Sequence, residues 1–101
     1  MKIAIATETN SENSAISPNA GRSPYYLIFD ENKKLIESLD NPFRHGGGGA
    51  GFGVAKMLAD NSVDIVIAGK FGDNMIGALE SRGIKFYEKN GEAKKELQNI
   101  K

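Results

Sequence analysis

Two four-residue runs, Ile3-Ala4-Ile5-Ala6 and Ile65-Val66-Ile67-Ala68, constrain this chain most. Neither contains a polar side chain. A strand with one wet face alternates apolar and polar residues, because successive side chains point to opposite sides. These runs do not alternate, so both of their faces must be covered, as in the central strands of a sheet with layers on both sides.

The remaining segments build that sheet outward. Residues 8–23 are polar and rich in Ser, Asn, Pro and Gly, and read as a long loop of the kind that often carries function. Tyr25-Tyr26-Leu27-Ile28-Phe29 is aromatic and branched, hence a strand. The turn Asp30-Glu31-Asn32-Lys33 leads into Leu35-Ile36-Glu37-Ser38-Leu39, so the two strands form an antiparallel hairpin, ended by Asn41-Pro42. Val54, Met57 and Leu58 recur at helical spacing and predict a helix over residues 50–60. Asp64–Gly69 holds the second buried strand. Asp73 is the expected N-cap of a helix carrying Met75, Ile76 and Leu79, with Gly83 as its stop. Ile84-Lys85-Phe86-Tyr87 is a last strand, and Ala93, Leu97 and Ile100 mark a final short helix.

The order β-β-β-α-β-α-β-α begins with an antiparallel hairpin and ends with two crossovers, whose right-handedness makes the later strands parallel to the first. The expected architecture is α/β: a three-layer α/β/α domain over residues 1–101, with a five-stranded mixed sheet of order 3-2-1-4-5, the ribonuclease-H-like motif. Its topological switch point lies between strands 1 and 4. Ligands bind such sheets beyond the carboxyl ends of the strands there, where Thr7–Gly21 and Gly69–Asp73 are expected.

Thirteen basic and thirteen acidic residues cancel, which argues against nucleic-acid and membrane-surface partners that depend on basic excess. With no cysteine, disulfides, thiolate nucleophiles and Cys-ligated metal sites are excluded. The first apolar run is too short for a signal peptide, and no segment has the length of a membrane span. The expectation is a cytoplasmic protein.

The candidate site is the glycine-rich loop His45-Gly46-Gly47-Gly48-Gly49-Ala50-Gly51, which joins the chain's one histidine to a helix start. Backbone N–H groups in such a loop can cradle an anion. Gly46, Gly48 and Gly51 match a dinucleotide fingerprint in spacing but lack a strand directly before them. Phe52 stands where a nucleoside-triphosphate loop needs Lys. The His-Gly-Gly-Gly segment of esterases needs a Gly-x-Ser-x-Gly elbow and a second, basic histidine, both missing. A magnesium nuclease needs paired carboxylates at one sheet end, for which Glu8 and Asp73 are the one weak candidate pair. Arg22 and Arg44 each adjoin a glycine-containing loop and could pair with a carboxylate or phosphate.

The succession Met1-Lys2-Ile3-Ala4-Ile5-Ala6, Gly21-Arg22-Ser23-Pro24-Tyr25-Tyr26-Leu27-Ile28, Asn41-Pro42, His45-Gly46-Gly47-Gly48, Val63-Asp64-Ile65-Val66-Ile67-Ala68-Gly69 and Gly83-Ile84-Lys85 resembles the dinitrogenase iron–molybdenum cofactor biosynthesis family, over nearly the whole chain. The resemblance implies the same ribonuclease-H-like fold. It also implies a non-enzymatic binding or carrier role for the iron–molybdenum cofactor or its iron–sulfur precursor. Family members often carry His-Phe-Gly-Arg where this chain has Asn19-Ala20-Gly21-Arg22, so the histidine is absent here. The expected roles are therefore His45 as metal ligand, Gly21, Arg22 and Arg44 as anion partners, and Gly46, Gly47, Gly48 and Gly49 as amide donors. The alternative is a regulatory or interaction module that binds a phosphorylated metabolite or a partner protein without metal.

Overall fold

A computed structural model describes residues 1–45 and 49–100. The strands are β1 (Ile3–Thr7), β2 (Tyr25–Phe29), β3 (Leu35–Asp40), β4 (Ile65–Ala68) and β5 (Lys85–Glu88). The helices are α1 (Ala50–Asp60), α2 (Asp73–Ser81) and α3 (Ala93–Leu97), with a 3₁₀ turn at Ala20–Arg22. The sheet order is β3-β2-β1-β4-β5, as expected. β1 pairs antiparallel with β2 and parallel with β4, while β5 adds parallel to β4. A register shift between Ile28 and Phe29 breaks the β2–β3 ladder.

The two apolar runs are buried throughout because the sheet is covered twice. Ala4, Ala6, Val66 and Ala68 face α1 and α2, packing with Val54, Leu58, Met75 and Leu79. The small alanines on this face of β1 and β4 leave room for two helices side by side. Ile3, Ile5, Ile65 and Ile67 face the other way, against Ile16, Ala93, Leu97 and Ile100. That second layer is thin, because α3 has only five residues and the loop after β1 supplies Ile16.

One local expectation is corrected. Asp73 is not the N-cap of α2; Gly72 is, in extended conformation, and Asp73 is the first helical residue with no side-chain capping bond. A carboxylate there still opposes the positive end of the helix dipole. The predicted stop holds. Gly83 has φ of 71°, and Gly83 N–H and Ile84 N–H donate to the carbonyls of Glu80 and Leu79 at 3.1 and 3.0 Å, which is a Schellman closure.

The long loop after β1 is laced across the strand ends rather than loose. Ser17 N–H donates to Ala6 O and Gly69 N–H donates to Ser17 O, both at 2.8 Å. A Cβ on Gly69 would lie 2.7 Å from Pro18 Cα, so this crossing requires glycine.

Candidate functional site

Three segments meet beyond the carboxyl ends of β1 and β4: the 3₁₀ turn, the start of α1 and the start of α2. Together they line a cavity of about 440 Å³, whose walls include Asn19, Gly21, Arg22, Ala50, Gly51, Gly72, Asp73, Asn74 and Met75. The sequence places both Thr7–Gly21 and Gly69–Asp73 at this end, and the structure brings them together there.

The convergence of α1 and α2 has a steric cause. A Cβ on Gly51 would sit 2.9 Å from Met75 Cβ and 3.1 Å from Met75 N, so glycine lets the two helix starts touch. The first-turn N–H groups of each helix have no carbonyl partner within their own helix and carry partial positive charge. Arg22 adds a full charge on the third wall. Asp73 offsets part of it from the α2 side.

Buried donors fix the 3₁₀ turn. The Tyr26 hydroxyl donates to Ala20 O, and Ala20 N–H donates to Lys70 O at 3.0 Å. Burial pushes the Tyr26 phenol well above its ordinary value, so it remains a donor. Asn41, 1% exposed, donates through Nδ2 to Gly21 O at 3.1 Å and Ser23 O at 2.9 Å. Its Oδ1 accepts from Phe43 N–H at 2.9 Å. Arg22 Nη1 donates to Phe43 O at 2.9 Å. The turn and the segment leading to the glycine loop are thus one stapled unit.

The sequence-predicted residues divide. Gly21 and Arg22 line the cavity. Arg44 and His45 do not. Arg44 is partly buried beside β2, its guanidinium carbon 5.8 Å from the Tyr25 ring centroid and its Nη1 3.4 Å from Pro24 O. Its Nε donates to His45 Nε2 at 3.2 Å. His45 is exposed. Gly49 caps α1 with φ of 81°, while Gly46, Gly47 and Gly48 lie outside the described residues. Among the described residues no group of three or more His, Cys, Asp or Glu side chains could hold a metal ion.

Sequence reasoning missed Asn19, Asn74 and Met75 as wall residues, and Asn41 and Tyr26 as scaffold. Asn19-Ala20-Gly21 carried a usable signal. An Asn two residues before a glycine is an Asx-turn pattern, and Asn19 Oδ1 accepts from Gly21 N–H at 3.1 Å.

Among solved structures, this fold matches the apo form of the orange protein from Desulfovibrio gigas with a TM-score of 0.90 and 24% identity, over 97% of this chain and 84% of the other. It also matches a NifB-like Thermotoga protein of the DUF35 family with a TM-score of 0.81 and 25% identity, over 96% and 84%. An uncharacterised protein of Methanocaldococcus jannaschii is 29% identical over 96 residues, spanning 89% of this chain and 75% of its relative. The family model for dinitrogenase iron–molybdenum cofactor proteins matches residues 1–101, and the chain belongs to that family.

Proposed function

We propose that this chain binds an anionic metal cofactor, of the iron–molybdenum or iron–sulfur type, in the switch-point cavity, and carries it without transforming it. One observation carries the reading: two helix starts and Arg22 converge on a single cavity of about 440 Å³. Amide dipoles and a guanidinium favour an anion. The donor set suits outer contacts to an anionic cluster better than direct ligation, because among the described residues the walls offer neither cysteine nor histidine, and the one soft atom is the thioether of buried Met75. Hydrogen-bond donors and one guanidinium on the walls support the reading of a site that holds its ligand. Family membership supports the cofactor class.

The test is anaerobic titration of the purified protein with tetrathiomolybdate, a soluble molybdenum–sulfur dianion, beside inorganic phosphate. Saturable binding of about one tetrathiomolybdate per chain, retained in His45→Ala and weakened in Arg22→Gln, is expected. Binding of phosphate alone would favour the phosphorylated-metabolite reading, and binding lost only in His45→Ala would move the site to the glycine loop.

A further inference from the structure

We infer that Asn90–Gly91 is a site of self-modification. The Asn90 side chain cyclises onto the Gly91 nitrogen and reopens as aspartate or iso-aspartate, and the iso-aspartate form untethers the loop after β1. The chain has nine asparagines, and Asn90 is the one followed by glycine. The fold sharpens that choice, because cyclisation needs the next residue's N–H free of other bonds and a backbone free to turn.

The other asparagines fail this requirement. The N–H groups that follow Asn13, Asn19, Asn32, Asn61 and Asn99 all donate to backbone carbonyls, at 2.9 to 3.2 Å. The one after Asn10 donates to Thr9 Oγ1 at 3.4 Å. Asn41 precedes Pro42, which has no N–H. Asn74 is held in the first turn of α2 and precedes the bulky, buried Met75. Gly91 N–H, by contrast, has no acceptor among the described residues. Gly91 lies between β5 and α3 with φ of 115° and has no side chain to hinder the approach. The Asn90 carboxamide makes no hydrogen bond among the described residues, and both residues are exposed to water.

Water is the one co-reactant. The Gly91 nitrogen bonds to Asn90 Cγ, the Cγ–Nδ2 bond breaks, and ammonia leaves with the proton, giving a five-membered succinimide. Water then opens the ring. Attack at Cγ restores the ordinary chain with an aspartate side chain. Attack at the backbone carbonyl leaves the chain running through Cβ and Cγ, one carbon longer, as iso-aspartate.

The position of residue 90 makes that extra carbon matter. Lys89 N–H donates to Ala68 O at 2.9 Å, and Gly91 O accepts from Ile16 N–H at 2.8 Å. Residue 90 thus spans the end of β5 and the loop laced over the strand ends. Its side chain lies at that crossing, with Oδ1 3.1 Å from the place of a Cβ on Gly69. A longer backbone loses one of the two bonds, and the freed loop is the one that continues into the cavity wall at Asn19–Arg22.

The experiment is timed incubation of the folded protein in warm, mildly alkaline buffer, read by intact mass, peptide mapping and labelling with an isoaspartyl methyltransferase. A synthetic peptide of residues 86–95 and the Asn90→Gln variant run beside it. A gain of about one dalton, from NH₂ to OH, should map to residue 90 before any other asparagine. Its rate should lie within about threefold of the peptide's, because the fold leaves the Gly91 N–H open. Asn90→Gln should show neither gain nor label at that residue over the same period. Protein enriched in iso-aspartate should melt at least about 4 °C below fresh protein, for one lost backbone bond. First conversion at another asparagine, or a rate at residue 90 more than about tenfold below the peptide's, overturns the site. Conversion at residue 90 with an unchanged Tm overturns the untethering. None of these readouts uses a bound anion, so their failure leaves the cavity assignment standing.

Discussion

At the scale of single residues, the site is held by a few buried donors whose roles the fold makes testable. Tyr26 is the clearest. Tyr26→Phe leaves the carbonyl of Ala20 without its buried donor and should cost about 1–3 kcal/mol, read by denaturant unfolding. The same residue sets a pH dependence. Its folded value lies above its ordinary one near 10, so below about pH 10 both folded and unfolded states keep the proton and stability does not change. Above that, the unfolded chain releases the proton while the buried phenol holds it, and stability falls by about 1.4 kcal/mol per pH unit. Tyr26→Phe should remove this alkaline loss, a difference visible in Tm measured from pH 9 to 11. Gly69→Ala tests backbone crowding: its Cβ would meet Pro18 Cα at 2.7 Å, and a cost of about 1–3 kcal/mol is expected. Individual residues were unevenly legible. Gly83 announced its stop, because a glycine after a helical pattern has one common conformational use. Asp73 misled, because a residue type favoured at the N-cap is also favoured in the first turn, where it meets the same dipole. His45 drew attention by its glycine neighbours, yet no local pattern encodes the seat of Arg44 against Tyr25 and Pro24, beside which His45 is exposed.

At the scale of elements, the meeting of α1 and α2 decides the site. Gly51 is the contact that permits it. Gly51→Ala should push the helix starts apart, lower stability by about 1–3 kcal/mol and weaken tetrathiomolybdate binding in the same variant. Asp73→Asn should act oppositely on the two readouts. It removes a charge that stabilises α2, costing about 0.3–1 kcal/mol, and removes a repulsion from the cavity, so anion affinity should rise about two- to fivefold. The strands and helices themselves were visible in the sequence because each has a clear period or composition. The 3₁₀ turn at Ala20–Arg22 was not. It is held by Asn19 and Tyr26 nearby and by Asn41 and Lys70 far along the chain, so residues 8–23 look like uniform polar loop until the fold brings the distant partners in.

At the scale of the whole molecule, two uninterrupted apolar runs dictate a doubly covered sheet, and that sheet creates a switch point between β1 and β4. The strand order and the end of the sheet that carries the cavity both follow from pattern and handedness. The loops that fill that end could be named in advance. Their detailed geometry could not, because it rests on the close approach of Gly51 to Met75 and on side-chain ties between separate loops. The thin second layer built from α3 and Ile16 leaves the site to the thicker, two-helix face. Where an anionic molybdenum–sulfur probe sits on the protein decides between the cavity and the glycine loop. Crystals of the protein grown with tetrathiomolybdate and measured at the molybdenum absorption edge test this directly. An anomalous peak is expected in the cavity between Arg22, Asn19 and the starts of α1 and α2. A peak at His45 with the cavity empty would contradict it.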